Sequence, residues 1–193
     1  SYRMAIRDIP GTEILSRDEI VLVPSRALDV VKRVLNEGKE LTVVLGEKEA
    51  VFKIENISIV TRLIEGEFPN YKGLIPETNK NKLVINREET LGALQRVKLL
   101  AREATPVRLI MTEKKIELLA IEQDIGQAIE TIEGSFSGEE ITVAFNPDYL
   151  IDGLDVISTE EVVLETTDAL KPAILKGLEE ETFLYLLMPV RVS

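Results

Sequence analysis

Ile64-Glu65-Gly66-Glu67-Phe68 and Ile132-Glu133-Gly134-Ser135-Phe136 share one pattern and stand 68 residues apart. Each closes a stretch of similar patterning, so the chain reads as an internal repeat. Repetition at such a period means one supersecondary unit used more than once, and stacked units of this kind build extended surfaces. That favours binding over chemistry.

Ahead of each pentad, and once more beyond the second, the same elements recur. A β-branched strand opens each copy: Ile20-Val21-Leu22-Val23, Leu83-Val84-Ile85 and Ile141-Thr142-Val143-Ala144-Phe145. These residues suit a pleated, half-buried surface. The steps from Val23 to Ile85 and from Ile85 to Phe145 are 62 and 60 residues, so three copies is the economical count. After each strand comes a turn or cap residue (Pro24, Asn86, Asn146), then about a dozen residues with helical spacing. Their inward stripes are Leu28, Val31 and Leu35; Leu91, Leu94 and Val97; and Leu150, Leu154 and Ile157. Three strand candidates follow, at residues 41–45, 51–54 and 58–64 in the first copy. The unit is βαβββ and the fold class α+β. Gly46-Glu47-Lys48-Glu49 and Thr112-Glu113-Lys114-Lys115 fit short antiparallel hairpins. The polar run Glu77-Thr78-Asn79-Lys80-Asn81-Lys82 after Pro76 is the best linker, which predicts domains at residues 1–76 and 77–193.

Composition narrows the function. With 193 residues, 45% of them hydrophobic, the chain can bury a real core. It has no cysteine and no histidine, which excludes disulfides, thiol nucleophiles, Ser-His-Asp triads and histidine-ligated zinc within it. The net charge of −11 argues against a uniformly basic nucleic-acid binder, yet the 23 Lys and Arg residues can still form a local basic face. The longest apolar runs, such as residues 183–190, fall well short of the roughly 20 residues that span a bilayer. No signal peptide is visible, so a cytoplasmic protein without membrane contact is expected. Neighbouring carboxylates such as Glu139-Glu140 and Glu160-Glu161 read as solvated charge near turns, and no phosphate-cradling Gly-Lys motif accompanies them. No catalytic residue, metal site or cofactor is expected.

Three longer motifs resemble a known family. Thr61-Arg62-Leu63-Ile64-Glu65-Gly66-Glu67-Phe68-Pro69-Asn70-Tyr71-Lys72-Gly73-Leu74-Ile75-Pro76 is similar to the strand and interdomain loop of the bacterial DNA polymerase sliding clamps, the beta subunits of the replicative holoenzyme. Phe145-Asn146-Pro147-Asp148-Tyr149-Leu150-Ile151-Asp152-Gly153-Leu154 resembles the helix entry of that family's last domain, and Tyr185-Leu186-Leu187-Met188-Pro189-Val190-Arg191 its C-terminal strand. Tyr2-Arg3-Met4-Ala5 is similar to the strand after the family's Thr-Asp-Gly turn. The resemblance covers the whole chain and implies half of a middle domain followed by a complete last domain, three of six βαβββ copies in the full subunit. It implies a DNA-clamp fold with outer antiparallel sheets and helices lining a DNA channel. The function it implies is that of a non-catalytic processivity factor: a two-subunit ring around duplex DNA that tethers its partners. Those are the replicative polymerase, the clamp loader and repair polymerases, docked through short peptides. The competing readings are a repeat-built interaction module unrelated to replication and a carboxylate-based hydrolase.

The resemblance also assigns residues. Its peptide pocket is implied to comprise Tyr2, Arg3, Met4, Pro69, Gly73, Leu74, Asn146, Tyr149, Leu170, Pro172, Leu186, Leu187, Met188, Pro189, Val190 and Arg191. Gly73 stands where the family often has a basic residue, and Pro172 where a small hydroxyl residue can occur. Arg26, Lys32 and Arg33 lie opposite the first helix's apolar stripe and are implied to face DNA, with Arg96 a weaker candidate; on sequence alone they would be an ordinary solvated face. The third helix carries Asp148, Asp152 and Asp155, which would not attract DNA. Leu99 and Leu100 end the second helix as an apolar pair, implied to meet the first domain of a partner subunit; with that domain absent from this chain, no closed ring is expected of it.

Overall fold

The computed structural model describes residues 2–10, 20–101 and 105–192. In chain order the elements are β1 (Arg3–Arg7), α1 (Ser25–Val34), β2 (Thr42–Leu45), β3 (Glu49–Ile54), β4 (Ile57–Arg62), β5 (Asn81–Asn86), α2 (Arg87–Lys98), β6 (Val107–Met111), β7 (Ile116–Glu122), β8 (Gly126–Ile132), β9 (Gly134–Ser137), β10 (Ile141–Phe145), α3 (Pro147–Asp155), β11 (Glu161–Thr166), β12 (Ala173–Gly177) and β13 (Phe183–Leu187). They form two compact units, a larger one of Ser1–Ile9 with Tyr71–Ser193 and a smaller one of Pro10–Asn70.

The larger unit holds two βαβββ copies that exchange their first strands. β5, which opens one copy, pairs with β11 of the other, and β10, which opens that other copy, pairs with β6 of the first. The result is a six-stranded sheet in the order β1-β13-β12-β11-β5-β9 and a four-stranded sheet in the order β10-β6-β7-β8. Helices α2 and α3 pack against each other, and their stripes Leu91, Leu94, Val97 and Leu150, Leu154, Ile157 are buried in one core with Leu83, Leu109, Leu118, Phe145, Leu164, Leu175 and Leu187. Both helices start on an asparagine. The Asn86 side chain accepts from Glu89 N–H, and that of Asn146 from the N–H groups of Asp148 and Tyr149. Each cap satisfies donors that the first turn leaves open and is worth about 1 kcal/mol. Asn81 and Lys82, the end of the polar run, are already the first residues of β5.

In the smaller unit β2, β3 and β4 form an antiparallel sheet in that order, with the Gly46 N–H on the Glu49 carbonyl at 2.8 Å closing the first hairpin. Its buried core is Val31, Ala50, Phe52 and Ile54. Two expectations fail here. Residues 20–23 form no strand, although the Ile64 N–H donates to the Leu22 carbonyl at 2.8 Å; a strand exists by virtue of its neighbours, and among the described residues none pairs with this segment as β11 does with β5 and β6 with β10. Of the stripe Leu28, Val31, Leu35 only Val31 is buried, while Leu28 and Leu35 are 46% and 42% exposed; among the described residues of this unit α1 has no second α-helix to pack against.

The two pentads differ accordingly. Gly134 opens β9, and a Cβ there would lie 2.6 Å from the Val84 carbonyl, so this glycine is demanded by close approach of β5. Gly66 has φ +136°, a conformation reserved for glycine, with nothing within 4 Å of where a Cβ would be.

Candidate functional site

Strand alternation decides which of the expected pocket residues share a face. Met4 of β1 lies opposite Leu186 of β13, and Ile174 of β12 lies opposite Leu186 on the other side; Arg3 and Ala173 likewise flank Leu187. Successive side chains point to opposite faces of a sheet. Phe183, Tyr185 and Leu187 point into the core, so Met4, Leu186 and Ile174 make a cross-strand apolar row on the outer face. The pairing continues past the strand, where the Met188 N–H donates to the Tyr2 carbonyl at 2.9 Å, which adds Tyr2 and Met188 to that face. Tyr2 is 70% exposed and Met188 half-buried, whereas Leu186 and Ile174 are buried. Pro172, half-buried, immediately precedes Ala173, and exposed Leu170 stands two residues earlier with its N–H on Asp168 Oδ1 at 2.7 Å.

Arg3 and Leu187 belong to the opposite face. The Arg3 guanidinium lies over the Tyr149 ring at 4.3 Å and pairs with Asp152; residues 149 and 152 are three apart on α3 and therefore neighbours. The Tyr185 hydroxyl donates to the Tyr149 carbonyl at 2.9 Å. Burial opposes the Arg3 charge, but hydrogen bonding to Asp152 and Tyr185 outweighs it and raises the guanidinium pKa above its ordinary value. Burial likewise pushes the Tyr185 phenol up, against the pull of Arg3. Arg3 is thus a brace between β1 and α3, and the expected pocket set is divided between two faces.

The remaining members lie on loops. The Asn146 side-chain oxygen is engaged in capping α3, and two residues before it the Ala144 carbonyl accepts from Val190 N–H at 2.7 Å. Pro189 is half-buried; Val190 and Arg191 are exposed. Gly73 and Leu74 sit exposed on the short 3-10 turn Lys72–Leu74 of the larger unit. Pro69 lies exposed in the smaller unit. Sequence reasoning missed Ile174 and the Asp152 and Tyr185 partners of Arg3. The apolar pair Ala173-Ile174 beside Pro172 was the available signal for the first.

Among the helix cations, Arg26, Lys32 and Arg33 are exposed on α1. Arg96 is held by Glu130 through two parallel hydrogen bonds of 2.9 Å each. That bidentate pairing lowers the Glu130 carboxyl below its usual range and raises Arg96, so the Arg96 charge is compensated locally. Leu99 is 89% exposed at the end of α2, and Leu100 half-buried. Among the described residues no cluster of three or more acidic side chains is placed to hold a metal ion, and no helix is long and apolar enough to cross a membrane.

The sequence matches the central domain of the DNA polymerase III beta subunit over residues 1–70 and the C-terminal domain of the same subunit over residues 72–191. It is 32% identical over 200 residues to the beta sliding clamp of Bacillus subtilis, covering 99% of this chain and 52% of that one. To the beta sliding clamp of Streptomyces coelicolor it is 34% identical over 206 residues, covering 100% and 54%. The structure superposes with a TM-score of 0.92 on the crystal structure of a sliding clamp from Bartonella birtlesii bound to griselimycin, at 27% identity, covering 99% of this chain and 52% of that one. The chain spans about half the length of the curated relatives it matches. Two domain matches in the order of the family, over a fold shared from end to end, establish that this chain belongs to the DNA polymerase III beta subunit family, the sliding clamps.

Proposed function

We propose that the chain is part of a processivity factor of DNA replication, a non-catalytic accessory subunit that holds a polymerase to duplex DNA. The outer apolar strip of Tyr2, Met4, Ile174, Leu186 and Met188 carries the reading. It offers apolar side chains, from exposed Tyr2 to buried Leu186 and Ile174, across three neighbouring strands, a surface that suits a short extended peptide. The loops of Gly73, Leu74, Leu170 and Pro172 would border that peptide. Asn146, Tyr149 and the segment from Leu187 to Arg191 would support the strip, with Arg191 as a polar anchor. The partners are the replicative polymerase, clamp loader and repair polymerases in the cytoplasm. Residues 1–76 would belong to a middle domain and 77–193 to the last one.

In the full-length subunit a dimeric ring would use Leu99 and Leu100 at its subunit contact and present Arg26, Lys32 and Arg33 to the DNA. A closed ring converts weak, sequence-independent attraction to phosphates into retention, because escape requires opening an interface. Changing Arg26 and Arg33 together to Glu in the full-length protein should therefore weaken retention on circular DNA strongly at low salt and progressively less as salt screens the charges. Unchanged retention at low salt would remove α1 from the channel. The peptide reading is tested by titrating the 193-residue chain with a polymerase C-terminal peptide; saturable one-to-one binding is expected, and its absence would displace the site.

A further inference from the structure

The apolar strip ends at a charged boundary inside the larger unit. Across the outer face the row Met4, Leu186, Ile174 continues onto β11 with Glu165, which lies opposite Ile174, and then onto β5 with Lys82, which lies opposite Glu165. Leu83, Leu164 and Leu175 point into the core, so their neighbours Lys82, Glu165 and Lys176 share the outer face with the strip. Both oxygens of Glu165 are engaged. Oε1 pairs with Lys176 Nζ at 3.2 Å, and Oε2 accepts from the Asn79 side-chain amide at 3.2 Å, whose own oxygen accepts from the Thr167 hydroxyl. Lys82 is left over. It is exposed, it faces a carboxylate already committed on both oxygens, and it has no ion-pair partner among the described residues. Glu139 and Glu140, exposed past the end of β9, form no pair with it. A chain with 34 Asp and Glu against 23 Lys and Arg thus keeps a free ammonium in line with its apolar strip.

We infer that the part of a partner peptide running past Ile174 carries a carboxylate, which Lys82 receives with Lys176 beside it; this rests on the strip being the peptide site. Neighbouring strands lie about 4.8 Å apart and an extended peptide advances about 3.3 Å per residue. Lys82, two strands from Ile174, is therefore met about three residues beyond the one seated there, and its flexible stem can reach back to a nearer one. Glu165 alone would repel such a group. Lys176 and Asn79 remove that obstacle by occupying its oxygens, which gives the polar run at 77–82 a part in the site. An apolar strip accepts many sequences, and the charged boundary selects among them, because a peptide with a cation at this place would meet Lys82 and be disfavoured.

Titration of the 193-residue chain with versions of one polymerase C-terminal peptide tests this. The peptide is made with both termini blocked and Asp-Asp or Asn-Asn added at one end or the other, and again with Asn-Asn and a free C-terminal carboxylate. At low salt, Asp-Asp at one of the two ends should bind about two- to fivefold tighter than Asn-Asn, the range for an exposed ion pair, and the difference should shrink as salt is raised. Lys82→Glu, at an exposed position, should reverse the preference, whereas Lys114→Glu, at an exposed lysine of the turn between β6 and β7, should leave it unchanged. A free terminal carboxylate that gains as much as Asp-Asp, and loses the gain in Lys82→Glu, supports the inference and identifies the group as the peptide's own end. Equal binding of the blocked Asp-Asp and Asn-Asn peptides at both ends, with no gain from the free carboxylate, overturns the inference and leaves the strip as the site. So does a preference that survives Lys82→Glu. Absence of binding by every version overturns it together with the strip.

Discussion

Leu187→Ala is expected to cost the larger unit about 2–5 kcal/mol of stability, the range for emptying a fully buried leucine site. Leu187 is 0% exposed, lies in the core with Phe183 and Tyr185, and stands between Arg3 on β1 and Ala173 on β12. Truncation removes the transfer energy of the lost carbons and leaves a cavity walled by strands that hydrogen bonds hold in register, so little collapse can offset it. The urea midpoint of the larger unit should fall while the slope of the transition is kept. An unchanged midpoint would place Leu187 outside the core and reverse the assignment of faces on β13.

One residue further on, the consequence changes from stability to binding. Met188→Glu should weaken a polymerase C-terminal peptide by about 2 kcal/mol or more, roughly thirtyfold, as expected for a central apolar anchor replaced by a charge that must be desolvated. Met188 is half-buried on the outer face, so the carboxylate can reach water in the free protein and folding should be little affected. Met188→Leu, close in volume, should keep most of the affinity, although an unbranched thioether adapts to varied partners better than leucine does. Equal binding by parent and Met188→Glu would mean that the peptide lies elsewhere.

Local chemistry was legible in the sequence and remote pairing was not. The βαβββ order, the helices opened by Asn86 and Asn146, and the hairpins at Gly46 and Thr112 depend on neighbours within a few residues. So do the stripes of α2 and α3. The stripe of α1 misled because periodicity reports which side of a helix is apolar, not whether anything in the chain covers it; Leu28 and Leu35 remain open. Residues 20–23 have strand composition but, among the described residues, no paired strand. The family motifs named a set of pocket residues, but a motif lists residues in order, and only the register shows that Arg3 and Leu187 face away from Met4 and Leu186. Ile174 escaped because nothing near it in sequence marks it as the partner of Leu186.

β1 also sets an order of events. Its partners Phe183 to Leu187 lie far along the chain from it, and its brace to Asp152 spans 149 positions. Made at about 5–20 residues per second, the chain must carry Met4 and Ile6 without their strand partners for some ten seconds or more after they emerge. Contacts this distant in sequence form late, because the intervening chain must be closed into a loop before they can contribute. The smaller unit lies wholly inside that loop, and it can fold during the wait. The outer strip needs both β1 and β13, so it is completed only after these two distant segments have met.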